Sequence, residues 1–371
     1  MQFQLLLQFY PLPILLSNTK KIILSIFLFF LFFLFFEAIN GSWYSSKLEK
    51  KLLEINAIYD VDIKIDPNDF YESKNKISYK RNKFGLRDNC KNAKNIAMVT
   101  VGGSTTDQRY IDFEKTFQKR LQDFFKSSNI DTCISNAGVD GHTSFGSLKA
   151  VQDWFPLIPD FNPRYFILYT GINDAVLIEH NGKLDSKKSD IFTSIKFKLI
   201  SNSYLYFLYN KCKNIMQVNN DTYGVLTHTK EIKKLYKFDS QTVNPIFKND
   251  LFENSIKFKE NFTQIINLII KSGSEPICVS QPTFFVKEGK GITDAIKYKG
   301  SYLNGLDLNL SLDLINNEMR EICKKNNLIF IDISNEDFLE SDFYDFVHLN
   351  NQGNEKIANI LFNNLKDKIN F

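Results

Sequence analysis

The sequence predicts a three-layer α/β/α domain on a five-stranded parallel sheet, carried behind an N-terminal transmembrane helix. Three observations predict it. Short apolar runs alternate with segments of helical period, the pattern of a parallel sheet with right-handed crossovers. Several of these runs end at glycine or asparagine, at the sheet edge where open α/β folds place ligands. Near the amino terminus, Ile22 to Phe36 is almost unbroken Ile, Leu and Phe. With 371 residues, 43% of them hydrophobic, the chain can bury a substantial core.

The first sixteen residues are apolar but interrupted by Pro11 and Pro13, too short and broken to span a bilayer. The run from Ile22 to Phe36 rises only about 22 Å as a helix, short of a hydrocarbon core of about 30 Å. Lys20 and Lys21 can snorkel, and Ala38, Ile39, Trp43 and Tyr44 lengthen the reach. A buried helix of a soluble domain rarely lacks a polar face altogether, so residues 1–40 are read as a membrane anchor. Glu37 adjoins the apolar run and no small-x-small site follows, which favours an uncleaved anchor over a signal peptide. Lys20 and Lys21 favour a cytoplasmic amino terminus, a bias weakened by Lys47, Lys50 and Lys51. With that orientation, residue 41 onward faces the periplasm or exterior.

Residues 41–94 are polar and read as a stalk or lead-in. Within them Asn82 to Asp88 forms a turn-like element, and Arg87 is read as an exposed or locally paired arginine rather than an anion ligand. The remainder, 95–371, opens with Asn95 to Val101, a buried strand that stops at Gly102, Gly103 and Ser104. Phe113, Phe117, Leu121 and Phe124 then predict a helix over 112–127. Further strands are expected at Thr132–Asn136, Tyr165–Thr170, Pro276–Ser280 and Leu328–Ile333. Helices are expected near 143–155, through Phe258 to Ile269, near 311–325, and through Ile357 to Leu365. The stretch from about 175 to 250 has no strand period and reads as an insertion, partly helical, able to act as a lid. Its tyrosines, Tyr204, Tyr206 and Tyr209, fit packing as well as substrate contact.

Composition excludes several functions. The 46 basic and 42 acidic residues are scattered, with no basic block and no zinc-finger spacing, so nucleic acid is not an expected partner. Cys90, Cys133, Cys212, Cys278 and Cys323 form no Cys-x-x-Cys pair, which argues against a zinc site. Cys133 and Cys278 sit in apolar runs and read as small buried hydrophobes. One disulfide stays open for an exported domain, and an odd count leaves a thiol over.

Ser104 is a candidate nucleophile, but a seryl hydroxyl needs a base and oxyanion donors. Of four histidines, His142, His180, His228 and His348, only His348 has a carboxylate at useful spacing. Asp345, three residues earlier, can fix its tautomer and stabilise the imidazolium. His180 and His228 fall in the insertion and read as surface residues. Two glycine-bearing loops follow strands, Asn136 to Thr143 and Thr170 to Asp174. The first can bring backbone N–H groups close to a ligand and the second offers the Asn173 amide.

These blocks resemble the SGNH, or GDSL-type, hydrolase family, whose four signature segments are matched in order. Gly102-Gly103-Ser104 resembles the nucleophile block, with Gly103 where the family has Asp. Asn136 to Gly141 resembles the oxyanion-glycine block, Gly171-Ile172-Asn173-Asp174 the oxyanion-asparagine block, and Asp345-Phe346-Val347-His348 the Asp-x-x-His block. The Gly-x-Ser-x-Gly elbow is not met, because Thr106 takes the last position. The resemblance runs from about residue 95 to the end and implies a flavodoxin-like SGNH hydrolase fold. It implies a catalytic set of Ser104, Asp345 and His348, and an oxyanion hole from the Ser104 and Gly141 N–H groups with the Asn173 side chain. No metal or organic cofactor is implied. The expected substrate is an acylated small molecule or glycan. Removal of acetyl groups from cell-surface carbohydrate leads, with O-acyl transfer, a lipase-like or thioesterase activity, and a non-enzymatic assembly role as alternatives.

Overall fold

The computed structural model describes residues 18–41, 43, 46–55, 57, 60–64, 76–176, 199, 202–206, 208–209, 237–245, 248–293, 296–298 and 301–369. The chain divides into two compact units, one of Met1–Tyr44 with Asp190–Asn219 and one of Ser45–Ser189 with Asn220–Phe371.

The first unit contains α1, Asn18–Asn40, longer at both ends than its Ile22–Phe36 core. Its 23 residues rise about 34 Å, enough to cross a hydrocarbon core. None of its residues is buried, and Ile, Leu and Phe are exposed on every side. The helix is long and apolar enough to span a membrane; an N-terminal signal sequence shares those properties.

The second unit begins with α2, Lys47–Glu54, and the antiparallel pair β1, Asp60–Lys64, and β2, Lys76–Lys80. The central sheet follows. It comprises β3 (Met98–Gly102), β4 (Ile134–Asn136), β5 (Tyr165–Tyr169), β7 (Glu275–Val279) and β12 (Ile329–Ile331), all parallel, in the order β12-β7-β5-β3-β4. This is the flavodoxin-like order, in which the strand order reverses between β3 and β5 and leaves a crevice at their carboxyl ends. Small elements lie outside it: β6 (Phe238–Asp239), β8 (Val286–Lys287) and β9 (Lys290–Ile292) form one antiparallel sheet, and β10 (Ile296–Tyr298) pairs with β11 (Ser301–Leu303).

Helices cover both faces because the strands alternate. Val99, Val101, Phe166, Leu168 and Cys278 point to one core; Met98, Tyr165, Ile167, Tyr169, Ile277 and Val279 point to the other. The turn that Ser104 begins is α3, Ser104–Asp107, and α4 is Phe117–Ser127 with Thr116 as its N-cap. Next come α5 (Ser144–Lys149), α6 (Ile172–Val176), α7 (Lys248–Lys271), α8 (Gly305–Lys325) and α9 (Asn351–Leu365). Phe117, Leu121 and Phe125 of α4 and Ile357, Leu361 and Leu365 of α9 fill one core. Phe258, Phe262, Ile265 and Ile269 of α7 with Leu308, Leu312 and Ile315 of α8 fill the other. Phe113, expected inside α4, lies in a separate 3-10 turn, Phe113–Lys115.

Residues 76–94 of the lead-in pack onto the domain: Ile77, Tyr79, Leu86 and Ala93 are buried. Two other expectations need revision. Arg87 is buried rather than exposed, at 2% exposure, because backbone carbonyls rather than a carboxylate take its guanidinium. Cys133 and Cys278 are not free hydrophobes. Cys90–Cys133 and Cys278–Cys323 are disulfides, with Cα–Cα distances of 5.8 and 6.6 Å. Cys212, His180 and His228, and most of the 175–250 insertion expected to act as a lid, lie outside the described residues.

Candidate active site

Ser104 is half-buried at the start of α3, immediately after β3 ends. Its Oγ lies 2.8 Å from His348 Nε2, across 244 residues of sequence. His348 Nδ1 lies 2.7 Å from Asp345 Oδ2. An ionised carboxylate only accepts, so Nδ1 carries the proton and Nε2 is free to accept from the serine hydroxyl.

The loop bearing this pair is held closed locally. Asp345 Oδ1 accepts from the Val347 and His348 N–H groups at 2.8 and 2.7 Å, so both carboxylate oxygens are fixed within one turn. The Tyr344 N–H donates to the His348 carbonyl, and Phe343 bridges Leu349. Asn350 then caps α9 by accepting from the Gln352 and Gly353 N–H groups. Across the loop, the Phe284 N–H beyond β7 donates to the Phe346 carbonyl at 2.8 Å. The Tyr344 ring lies parallel to the imidazole, centroids 5.3 Å apart.

Burial disfavours a charged His348, but the Asp345 carboxylate and its hydrogen bond outweigh that and hold the imidazole above its usual range. His142 behaves oppositely. Burial, aided by Arg81, pushes it down to about 4, so it is neutral near pH 7. It contributes its backbone: the His142 carbonyl accepts from Asn173 Nδ2 at 2.9 Å. That bond occupies one amide hydrogen of Asn173 and leaves the second for another acceptor.

Gly141 has φ +78°, a left-handed conformation that suits glycine, and is exposed. Neither its N–H nor that of Ser104 donates a hydrogen bond among the described residues. Asp174 ties the two donor loops together, accepting from the Ser144 N–H at 2.8 Å and hydroxyl at 2.5 Å. All five residues named from the sequence, Ser104, Gly141, Asn173, Asp345 and His348, therefore sit in loops or first helical turns that follow strands of one sheet.

Sequence reading missed the brace behind them. Arg81 donates to Asp107 Oδ1 at 2.7 Å, to the Gly85 carbonyl at 2.6 Å and to the Gly138 carbonyl. The Tyr79 hydroxyl donates to the same Asp107 oxygen. Arg87 donates to the Asp107, Gln108 and Ile111 carbonyls, at the end of the Ser104 turn and just past it, and its guanidinium lies 4.8 Å above the Tyr79 ring. Backbone bonds between Arg87 and Asn136 join the same segment to the loop leading to Gly141. On the other side the Thr105 hydroxyl donates to Gln281 Oε1 at 3.3 Å. The only signal for the brace was the turn chemistry of Asn82 to Asp88.

Among the described residues no group of three or more His, Cys, Asp or Glu side chains is placed to hold a metal ion. A hydroxyl, a neutral imidazole oriented by a carboxylate, and nearby amide donors can carry out acyl transfer.

No protein-family model matches the chain, and no curated protein matches it. Solved structures with a likeness include an acetyl xylan esterase, at 16% identity and TM-score 0.38, covering 72% of this chain and 99% of that one. A lipolytic protein of the G-D-S-L family from Veillonella parvula DSM 2008 is 12% identical, with TM-score 0.41 and coverage of 73% and 98%. A GDSL-like lipase from Bacteroides thetaiotaomicron VPI-5482 is 11% identical, with TM-score 0.39 and coverage of 74% and 90%. At such identities and scores, a reading of function has to rest on the site itself.

Proposed function

We propose that the chain is a serine ester hydrolase of SGNH type that works through an acyl-enzyme. The observation that carries the reading is the hydrogen-bonded line Ser104 Oγ, His348 Nε2, His348 Nδ1, Asp345 Oδ2, with spacings of 2.8 and 2.7 Å. Four sequence blocks resembling that family, in order, support it further.

In this mechanism Ser104 Oγ attacks the ester carbonyl while His348 Nε2 takes its proton. The imidazolium, held by Asp345, returns that proton to the departing alkoxide, and the acyl group stays on Ser104. Water then gives its proton to His348 and attacks the acyl carbon, and the serine is regenerated with release of the acid. The Ser104 and Gly141 N–H groups and the second Asn173 amide hydrogen would receive the oxyanion in both steps. Replacing water by a sugar hydroxyl in the second step gives O-acyl transfer with the same residues.

Within this reading, α1 is an uncleaved anchor and the domain of residues 95–371, with its 41–94 lead-in, faces the periplasm or exterior. Two disulfides in the described residues support an oxidising compartment. A membrane-tethered domain resembling this family suggests acetylated cell-surface carbohydrate as the substrate.

The decisive experiment is labelling of the purified chain with a fluorophosphonate probe, followed by turnover of an aryl acetate with and without an acceptor sugar. Wild type labels and Ser104→Ala does not. Equal labelling of both would overturn the assignment. Hydrolysis in water alone supports an esterase, and acceptor-dependent turnover a transferase.

A further inference from the structure

Glu37 is the one acidic residue of α1, close to its carboxyl end. A carboxylate at that depth is costly unless it is paired or hydrogen-bonded. Here it is saturated. Its Oε1 accepts from the Ser203 hydroxyl at 2.6 Å and the Leu205 N–H at 3.0 Å, and its Oε2 from the Tyr204 N–H at 2.9 Å. The Trp43 indole also hydrogen-bonds it. The donors from 203–205 begin a helical turn, and Ser203 Oγ accepts from the Tyr206 N–H at 3.1 Å. Phe36 meets Tyr204 edge to face at 5.6 Å. Sequence neighbours of the dock are exposed: Leu199, Tyr206 and Tyr209 are 54%, 41% and 62% exposed, and the two tyrosine rings lie 6.3 Å apart.

We propose that the segment carrying Leu199, Tyr206 and Tyr209 is a second membrane-contacting element, an interfacial belt fastened to the carboxyl end of the anchor by Glu37. The occupant of its exposed face is the lipid headgroup and acyl boundary of the leaflet at that end of α1. Three features favour lipid. The face belongs to the same compact unit as a helix whose apolar side chains are exposed all round. Its exposed residues are mainly tyrosines, whose rings suit the boundary while their hydroxyls stay wet. The bonds to Glu37 start the segment at the end of the helix, where Trp43 also lies, rather than at its middle. Glu37, which would weaken a simple membrane span, becomes the fastening.

This inference rests on α1 lying in a bilayer. The test uses the full chain in phosphatidylcholine vesicles, prepared with ordinary lipid or with lipid brominated near the headgroup. Tyr209→Trp is compared with the unaltered chain, so that the difference reports the introduced indole. The expected result is blue-shifted emission from that indole, quenching by brominated lipid and protection from aqueous acrylamide. Adding Glu37→Ala should reverse both quenching patterns while the protein still floats with the vesicles. Acrylamide quenching without lipid quenching in the Glu37 background overturns the belt, as does a Glu37→Ala variant that changes nothing. Failure of the unaltered chain to float overturns the membrane placement itself, and leaves probe labelling of Ser104 as a separate question.

Discussion

A Cβ on Gly103 would lie 2.6 Å from Asn173 Nδ2 and 2.8 Å from the His142 carbonyl oxygen. The residue before Ser104 is therefore small because the Asn173 amide and the His142 carbonyl that orients it occupy the space a side chain would need. Gly103→Ala is expected to displace Asn173 and lower kcat on an aryl acetate by up to about 100- to 1000-fold, the range for losing one oxyanion donor. Thermal unfolding measured alongside should show a folded protein, and unchanged turnover would mean that Asn173 does not serve the oxyanion.

Asn173 itself allows a more direct measurement. Its amide is oriented by the His142 carbonyl at 2.9 Å, so truncation removes the donor without burying a charge. Asn173→Ala should reduce kcat by about 100- to 1000-fold, roughly 3–4 kcal/mol, with little change in KM. A rise in KM at constant kcat would instead assign Asn173 to substrate binding.

The pH dependence follows from His348. Only the neutral imidazole can take the Ser104 proton, so kcat/KM should rise with pH through the His348 titration. Because Asp345 outweighs burial and raises that titration, the acidic limb should lie above the usual imidazole value of about 6.5. Stability runs the other way. A folded-state pKa above the unfolded one contributes stability that is full below the unfolded value and lost as pH rises through the folded one. Asp345→Asn should move the acidic limb down and reduce kcat. A limb that stays in place would separate the titration from this pair.

The fold was legible because its signals are local. Val99 and Phe166 face one core while Met98 and Tyr165 face the other, an alternation that a buried parallel strand writes as a continuous apolar run. Asp345 and His348 were legible because they share one turn, and Ser104 because glycines mark the strand end. The brace was not. Arg81 and Arg87 are buried outside the periodic elements, by partners as far as 57 residues away, and a single sequence gives no means of pairing them. The disulfides share that difficulty, with separations of 43 and 45 residues and five cysteines to choose from. In the sequence Glu37 speaks only for an uncleaved anchor over a cleaved signal peptide, because its partners from Ser203 to Leu205 lie 166 to 168 residues on.

The brace makes the last prediction. Arg81 and Asp107 are both almost wholly buried, with side chains 2% and 1% exposed and 2.7 Å between them. Burial opposes the charge on Arg81, and Asp107 more than compensates. Arg81→Met would leave the Asp107 carboxylate buried with the Tyr79 hydroxyl and with Arg109, 3.7 Å away, as its remaining cation, a loss of up to about 3–5 kcal/mol by denaturant unfolding. Arg81→Met combined with Asp107→Leu should lose less than the sum of the two single changes, since no charge is left stranded. Asp107 ends the turn that Ser104 begins, so Arg81→Met should also slow fluorophosphonate labelling under conditions where the protein is still folded. Full labelling speed in a destabilised protein would confine Arg81 to holding the fold.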